Sequence, residues 1–266
     1  MEQMTQWLSD DRTSFIERMV GVVSHDLRTP LTAIRMGVDI LRTAELDPAL
    51  SRMVSRMNQA TQRAQRLIQD LLDFTEARLG GRLPLVSRPI DIHACVDEAL
   101  AEMSLAFPGA HFVHVKNNDG GCVGDHDRLV QALANLVANA VVYGEPGRAI
   151  TVTSAVTYGT DGPWCSLSVH NQGTAIPALS IPTLFEPLVR GGSRLRAPGS
   201  IGLGLFIVRE IAKAHLGSVA VSSSDDQGTI FTMRFPIPER RPYRQIALDP
   251  VGNENNFLSS KHSGVD

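Results

Sequence analysis

The sequence predicts two unlike halves: an N-terminal α-helical hairpin that pairs with a second copy in a dimeric four-helix bundle, then an α/β domain. Three observations carry this. Apolar residues step by three and four through residues 12–79. Glycines and prolines then break the pattern in GGRLPLVSRP, residues 80–89. Beyond it, short strand-like runs alternate with amphipathic helices over residues 90–238.

A short segment, 1–11, precedes the first helix. That helix repeats Ile16, Val20, Val23, Leu27, Leu31, Ile34, Val38 and Leu41. The two successive steps of four around Leu27 change its local winding, and Pro30 removes a backbone donor there, so a bend is expected. ELDPAL supplies the turn, with Asp47 as N-cap and Pro48 at the first helical position. The second helix steps Leu50, Met53, Met57, Ala60, Ala64, Leu67, Leu71, Phe74 without a break, which is a heptad seam. Two helices alone cannot bury a seam this long, so a homodimer is expected.

Residues 80–89 read as a linker. After it, IDIHACVDEALAEM reads as a helix capped by Asp91, and HFVHVK and AITVTSAV read as strands. DHDRLVQALANLVANAVVYG is a helix with Leu129, Leu133, Leu136 and Ala140 on one face. WCSLSVHN is a strand, and GLFIVREIAKAHLG is a helix that Gly217 can end. SVAVSSS and GTIFTMRFPI close as strand, turn, strand. The tail, 239–266, is polar and lacks periodicity, so disorder is expected there.

With 43% hydrophobic and 20% charged residues in 266, the chain has the composition of a soluble globular protein. A net charge of −3 gives no field for nucleic acid. No apolar run reaches the roughly 18–20 residues that cross a bilayer, and the N-terminus lacks a signal-peptide pattern. A cytoplasmic location is expected. Cys95, Cys122 and Cys165 show no metal-ligand spacing and read as reduced structural thiols.

Four stretches could carry chemistry. In VVSHDLRTPL, His25 lies between Val23 and Leu27 and projects off the seam, with Thr29 one turn further along the same face. Asn135 and Asn139 are four apart, so their amides share a helix face and could serve a hard cation such as Mg²⁺. VHNQGTAIP ends a strand in a glycine turn that lets backbone approach a flat ligand. GSIGLGLFIVREI runs glycines into a helix N-terminus, which can hold phosphate. It is neither a Rossmann fingerprint nor a Walker loop. Each stretch is weak evidence by itself.

Their order is not. Taken with LFEPLVRGG, the stretches make the chain resemble the sensor histidine kinases of two-component systems over residues 12–238. SHDLRTPL resembles the family's H box, NLVANAVVYG its N box, NQGTAIP its G1 box, LFEPLVRGG its F box and GLGLFIV its G2 box. The resemblance implies that the second half is an α/β sandwich with a mixed sheet that binds ATP, in the superfamily of gyrase and heat-shock chaperones. It implies that His25 takes the γ-phosphoryl group, with Asp26 orienting the ring and Arg28 helping to orient phosphate. Thr29 would position a water for phosphatase activity. Asn139 would bind Mg²⁺, with Asn135, Tyr143, Asn171, Gly173 and Ile176 around the nucleotide. Gly202, Leu203, Gly204 and Leu205 would complete the site. The implied partner is a response-regulator receiver domain.

Asn135 stands where the superfamily's hydrolases carry a catalytic glutamate. An amide cannot take a proton from water as a carboxylate can, which favours transfer to an acceptor over hydrolysis. Five places depart from the family pattern. Asn171 replaces Asp, Ala175 replaces Gly, Val142 replaces a basic residue, Leu188 replaces Phe, and the G2 helix ends AHLG in place of HGG. These raise the alternative of a kinase-weakened protein that relays phosphate, dephosphorylates or docks a regulator.

Overall fold

The computed structural model describes residues 29–41, 46–78, 82–160, 162–188 and 202–238. His25, Asp26, Arg28, the segment 1–11, the seam from Ile16 to Leu27 and the tail 239–266 lie outside them. So does most of the segment on which the bend at Pro30 would show.

Helix α1 (29–41) and α2 (Pro48–Arg78) form the hairpin. Asp47 starts α2 as expected: its Oδ1 accepts the N–H groups of Ala49 and Leu50 at 2.8 and 3.1 Å. Within the chain the hairpin closes on Val38, Val54 and Thr61, which are buried. Much of the expected seam stays open, Val38 excepted: Leu50, Met53, Met57 and Leu71 are 42–58% exposed, and Ile34 and Leu41 are exposed with them. Most of this apolar stripe therefore stays uncovered within the chain.

Strand β1 (Arg88–Asp91) pairs antiparallel with β3 (Gly121–Gly124) in a two-stranded sheet. The expected linker therefore ends at residue 87, because Arg88 and Pro89 already pair across to Gly124 and Val123. Neither short strand is apparent in the sequence, since four residues with a proline or two glycines show no alternation. Helix α3 (Ile92–Ala106) follows, capped by Asp91, whose Oδ1 accepts the His93 N–H at 2.8 Å. Then come β2 (His111–Asn117), α4 (His126–Tyr143), β4 (Ala149–Gly159) and β5 (Gly162–Asn171). A 3-10 turn at Ala178–Thr183, unpredicted, precedes α5 (Gly204–Ala214), β6 (Ser218–Ser224) and β7 (Gly228–Pro236).

The main sheet runs β2-β4-β5-β7-β6; β2 and β4 are parallel and all other pairs antiparallel. It is the expected mixed sheet. Alternate residues of the inner strands, among them Val152, Val156, Leu167, Val169, Met233 and Phe235, are buried in one core with α3, α4 and α5. The three cysteines are free and buried in it, and burial pushes the Cys95 thiol up to about 12. No helix among the described residues is long and apolar enough to cross a membrane.

The end of α5 differs from expectation. Leu216, not Gly217, takes the left-handed conformation (φ 61°), and the Gly217 N–H returns to the Ala212 carbonyl at 2.8 Å. Gly217 is needed for a different reason: a Cβ there would collide with the Arg234 carbonyl of β7. Next to it, buried His215 accepts the Asp125 N–H at Nε2 (3.0 Å) and donates from Nδ1 to the Ile211 carbonyl (2.9 Å). That pairing fixes a neutral ring, and burial lowers its pKa below the ordinary 6.5.

Opposite, Ser154 is fully buried and its hydroxyl lies 2.6 Å from His93 Nδ1 and 2.7 Å from His114 Nε2. His114 Nδ1 lies 2.7 Å from Asp97, which Lys116 also reaches at 2.7 Å. One hydroxyl thus joins α3, β2 and β4.

Ser154→Ala strips both imidazoles of that partner and is expected to cost about 1–3 kcal/mol in urea unfolding. The His215 effect has a definite sign. The unfolded ring protonates at higher pH than the folded one, so stability falls as pH drops below 6.5 toward the lowered folded value. Denaturant titrations across that window are expected to show a steeper acid loss for the wild type than for His215→Gln.

Candidate functional site

A cleft of about 2300 Å³ lies between the hairpin and the α/β domain. Its domain wall is one face of α4, and the elements around that face explain the placement of each side chain. Asp125 caps α4 by accepting the Arg128 N–H at 3.2 Å, and its other oxygen accepts the Val86 N–H at 2.6 Å. The helix then presents Arg128, Gln131, Asn135 and Asn139 along the cleft, and ends at Tyr143, which is 46% exposed.

Asn135 packs on Gly204: a Cβ on Gly204 would stand 3.5 Å from the amide. Its Nδ2 is buried and has no partner among the described residues. An orphaned buried donor is costly unless a ligand or water meets it. Leu203 caps α5 without a side-chain hydrogen bond, so the first N–H groups of that helix are uncapped where Gly202, Leu203, Gly204 and Leu205 line the cleft. An anion fits that helix end. Gly202 takes φ 80°, and its carbonyl accepts the Leu188 N–H at 3.0 Å.

The third wall is the loop after β5. Asn171, at the strand's end, is buried and donates from Nδ2 to the Gln172 carbonyl at 3.1 Å. Gly173 has φ 156°, and a Cβ there would stand 2.7 Å from the Tyr143 carbonyl. The glycine is therefore required by backbone: it lets the loop pack on the end of α4. The Glu145 N–H closes the same contact on the Gln172 carbonyl at 2.7 Å. Ile176 lines the cleft with its N–H on Ser223 Oγ at 2.9 Å, and the Ala175 N–H reaches Asp225 at 3.1 Å.

The structure thus brings nine of the ten residues expected at the nucleotide to this cleft, and the tenth, Gly173, packs against the end of α4 beside it. Val142 lines the same cleft without a charge. Of the residues expected at the phosphoacceptor, only Thr29 is described; it is exposed at the start of α1. Leu31, Thr32 and Arg35, a few residues after His25 in the chain, form the cleft's opposite wall. His170 lies 2.8 Å from the Gln227 carbonyl, and Glu186 pairs with Arg209 at 2.7 Å, which holds its carboxyl below the usual range.

The sequence reading passed over Asp73 of α2. It is wholly buried and accepts from Arg128 at 2.7 Å, Gln131 at 2.6 Å and Gln69 at 3.0 Å. The signal was present as spacing: Arg128 and Gln131 precede Asn135 by seven and four positions. Nearby Asp70, which lines the cleft, is pushed up to about 6 by burial and then by the Asp73 charge.

Comparison with known proteins gives two matching families. Residues 15–80 match the His Kinase A (phospho-acceptor) domain, and residues 124–239 match the histidine kinase-, DNA gyrase B-, and HSP90-like ATPase family. The probable sensor histidine kinase TcrY of Mycobacterium tuberculosis is 36% identical over 85% of this chain and 47% of its own length. A bacteriophytochrome of Pseudomonas aeruginosa is 33% identical over 83% of this chain and 30% of its own. The chain therefore spans less than half the length of these relatives. The crystal structure of full-length ShkA in complex with AMPPNP superposes with a TM-score of 0.61 at 26% identity, over 83% of this chain and 46% of that one.

Gly173→Ala is expected to push the loop off the end of α4, displacing Tyr143 and Asn171 together. Calorimetric titration with Mg-nucleotide is expected to show affinity falling about tenfold, since each strained residue costs on the order of 1–3 kcal/mol.

Proposed function

The chain belongs to the sensor histidine kinases of two-component systems, and from that premise we propose that it autophosphorylates His25 from Mg-ATP. The phosphoryl group then passes to an aspartate of a response-regulator receiver domain. One observation carries the reading. Asn135, Asn139 and the uncapped start of α5 face the same cleft as Leu31, Thr32 and Arg35, which follow closely on His25.

In this reading the phosphates of ATP lie at the N-terminus of α5, where unpaired N–H groups and the helix dipole favour negative charge. Asn139, with Asn135 beside it, would hold Mg²⁺, which when bound neutralises charge on the phosphate oxygens. Tyr143 and Ile176 would flank the adenine, and the Asn171 oxygen would accept from its amino group. A neutral His25 nitrogen attacks the γ-phosphorus as the bond to the β-phosphate oxygen breaks, and ADP leaves. Asp26 would hold the other ring nitrogen and stabilise the charge that develops on the ring, and Arg28 would orient phosphate. No carboxylate stands at Asn135 to activate water, which supports transfer over hydrolysis. Exposed Thr29 would position water when the receiver is dephosphorylated.

The uncovered stripe of Ile34, Leu41, Leu50, Met53, Met57 and Leu71 supports a homodimer built through the hairpin. The weakened-kinase alternative rests on Val142, Asn171 and Ala175. Ala175 gives it little support. It is not among the residues with positive φ, and its N–H and that of Ile176 are both satisfied, so glycine is not needed there.

Incubation with γ-labelled ATP is expected to give acid-labile, base-stable label on the wild type and none on His25→Ala. Thr29→Ala is expected to keep autophosphorylation and lose phosphatase activity toward a phosphorylated receiver. Label of equal strength on His25→Ala would rule the assignment out.

A further inference from the structure

We infer that Asp73 is a positioning residue for phosphoryl transfer: its clamp by Arg128 and Gln131 docks α4 on the hairpin with the asparagine face turned into the shared cleft. The inference rests on the kinase reading above and deepens it.

Asp73 belongs to the hairpin, and two of its three partners belong to the first turns of α4. It has no exposed surface, whereas exposed ion pairs contribute little. A buried carboxylate left without partners would be costly, so the three donors are a condition of its burial. The bond is also directional. The Arg128 guanidinium lies 2.7 Å from one carboxylate oxygen and the Gln131 amide 2.6 Å from the other, so both bonds are made together only in this rotation of the helix.

That rotation decides where the nucleotide face points. Arg128, Gln131, Asn135 and Asn139 follow one another at helical spacing along the cleft side of one rigid helix. Fixing the first two aims the last two. The neighbouring residue of α2 adds a second anchor: Phe74 meets Phe206 of α5 edge-on, with ring centroids 5.6 Å apart. Adjacent hairpin residues therefore hold both helices that bound the nucleotide pocket. Asp73 itself does not line the cleft, although Asp70 does. It acts through α4, not on the reacting atoms.

The test is the rate of autophosphorylation against ATP concentration in the full chain, for the wild type, Asp73→Asn, and the double variant Asp73→Asn/Gln131→Glu. The double variant moves the carboxylate onto α4, beside the guanidinium that already lies 3.1 Å from Gln131. Asp73→Asn is expected to lower kcat about tenfold, the scale of one lost charge-assisted hydrogen bond, with KM and nucleotide affinity unchanged. The double variant is expected to restore most of kcat. An unchanged or raised kcat in Asp73→Asn, a parallel fall in nucleotide affinity, or no recovery in the double variant would overturn the inference. A wild type that takes no label overturns the kinase reading and the inference with it. A labelled wild type with an unaltered Asp73→Asn variant overturns the inference alone.

Discussion

Asp125 ties the start of α4 to three neighbours at once. Its side chain accepts the N–H groups of Arg128 and Val86, and its own N–H donates to His215. One residue therefore caps α4, holds the chain arriving from the hairpin and receives the end of α5. The rest follows from α4 being held rigidly at that point. A helix fixed at its first turn carries its asparagines to a set distance and angle, because each residue adds a fixed rise and rotation.

The far end of α4 is fixed by backbone. Gly173 has no side chain, so the loop after β5 presses against the Tyr143 carbonyl, and Glu145 bonds to Gln172. The two ends are held by different means, a carboxylate cap and a glycine contact, and both are polar and directional. The apolar core beneath supplies the stability; these contacts supply the orientation. At the cleft, by contrast, polar groups are left over: the Asn135 amide and the uncapped start of α5 face it.

Much of this was legible in the sequence because it is local. The caps Asp47 and Asp91 stand immediately before apolar periodic runs, and both accept the N–H groups expected of them. The alternation in AITVTSAV and the helical spacing of Leu129, Leu133 and Leu136 give the layers of the domain, because burial of one face imposes those periods. The five motifs in order led to the family. What was missed is non-local. Strands β1 and β3 are four residues each and exist only as a pair. Gly217 was read as a helix stop, but its reason lies on β7, across the sheet.

Sequence by itself determined the longer elements, their order, the family and the chemical character of each candidate residue, since these depend on residue type and near neighbours. Tertiary structure alone decided which apolar stripe of the hairpin closes within the chain and which stays open. It alone brought Asp73 to Arg128 and Gln131, 55 and 58 positions away. Such contacts depend on how helices pack, and packing is set by many side chains together. A buried carboxylate on a helix looks, one residue at a time, like any surface aspartate.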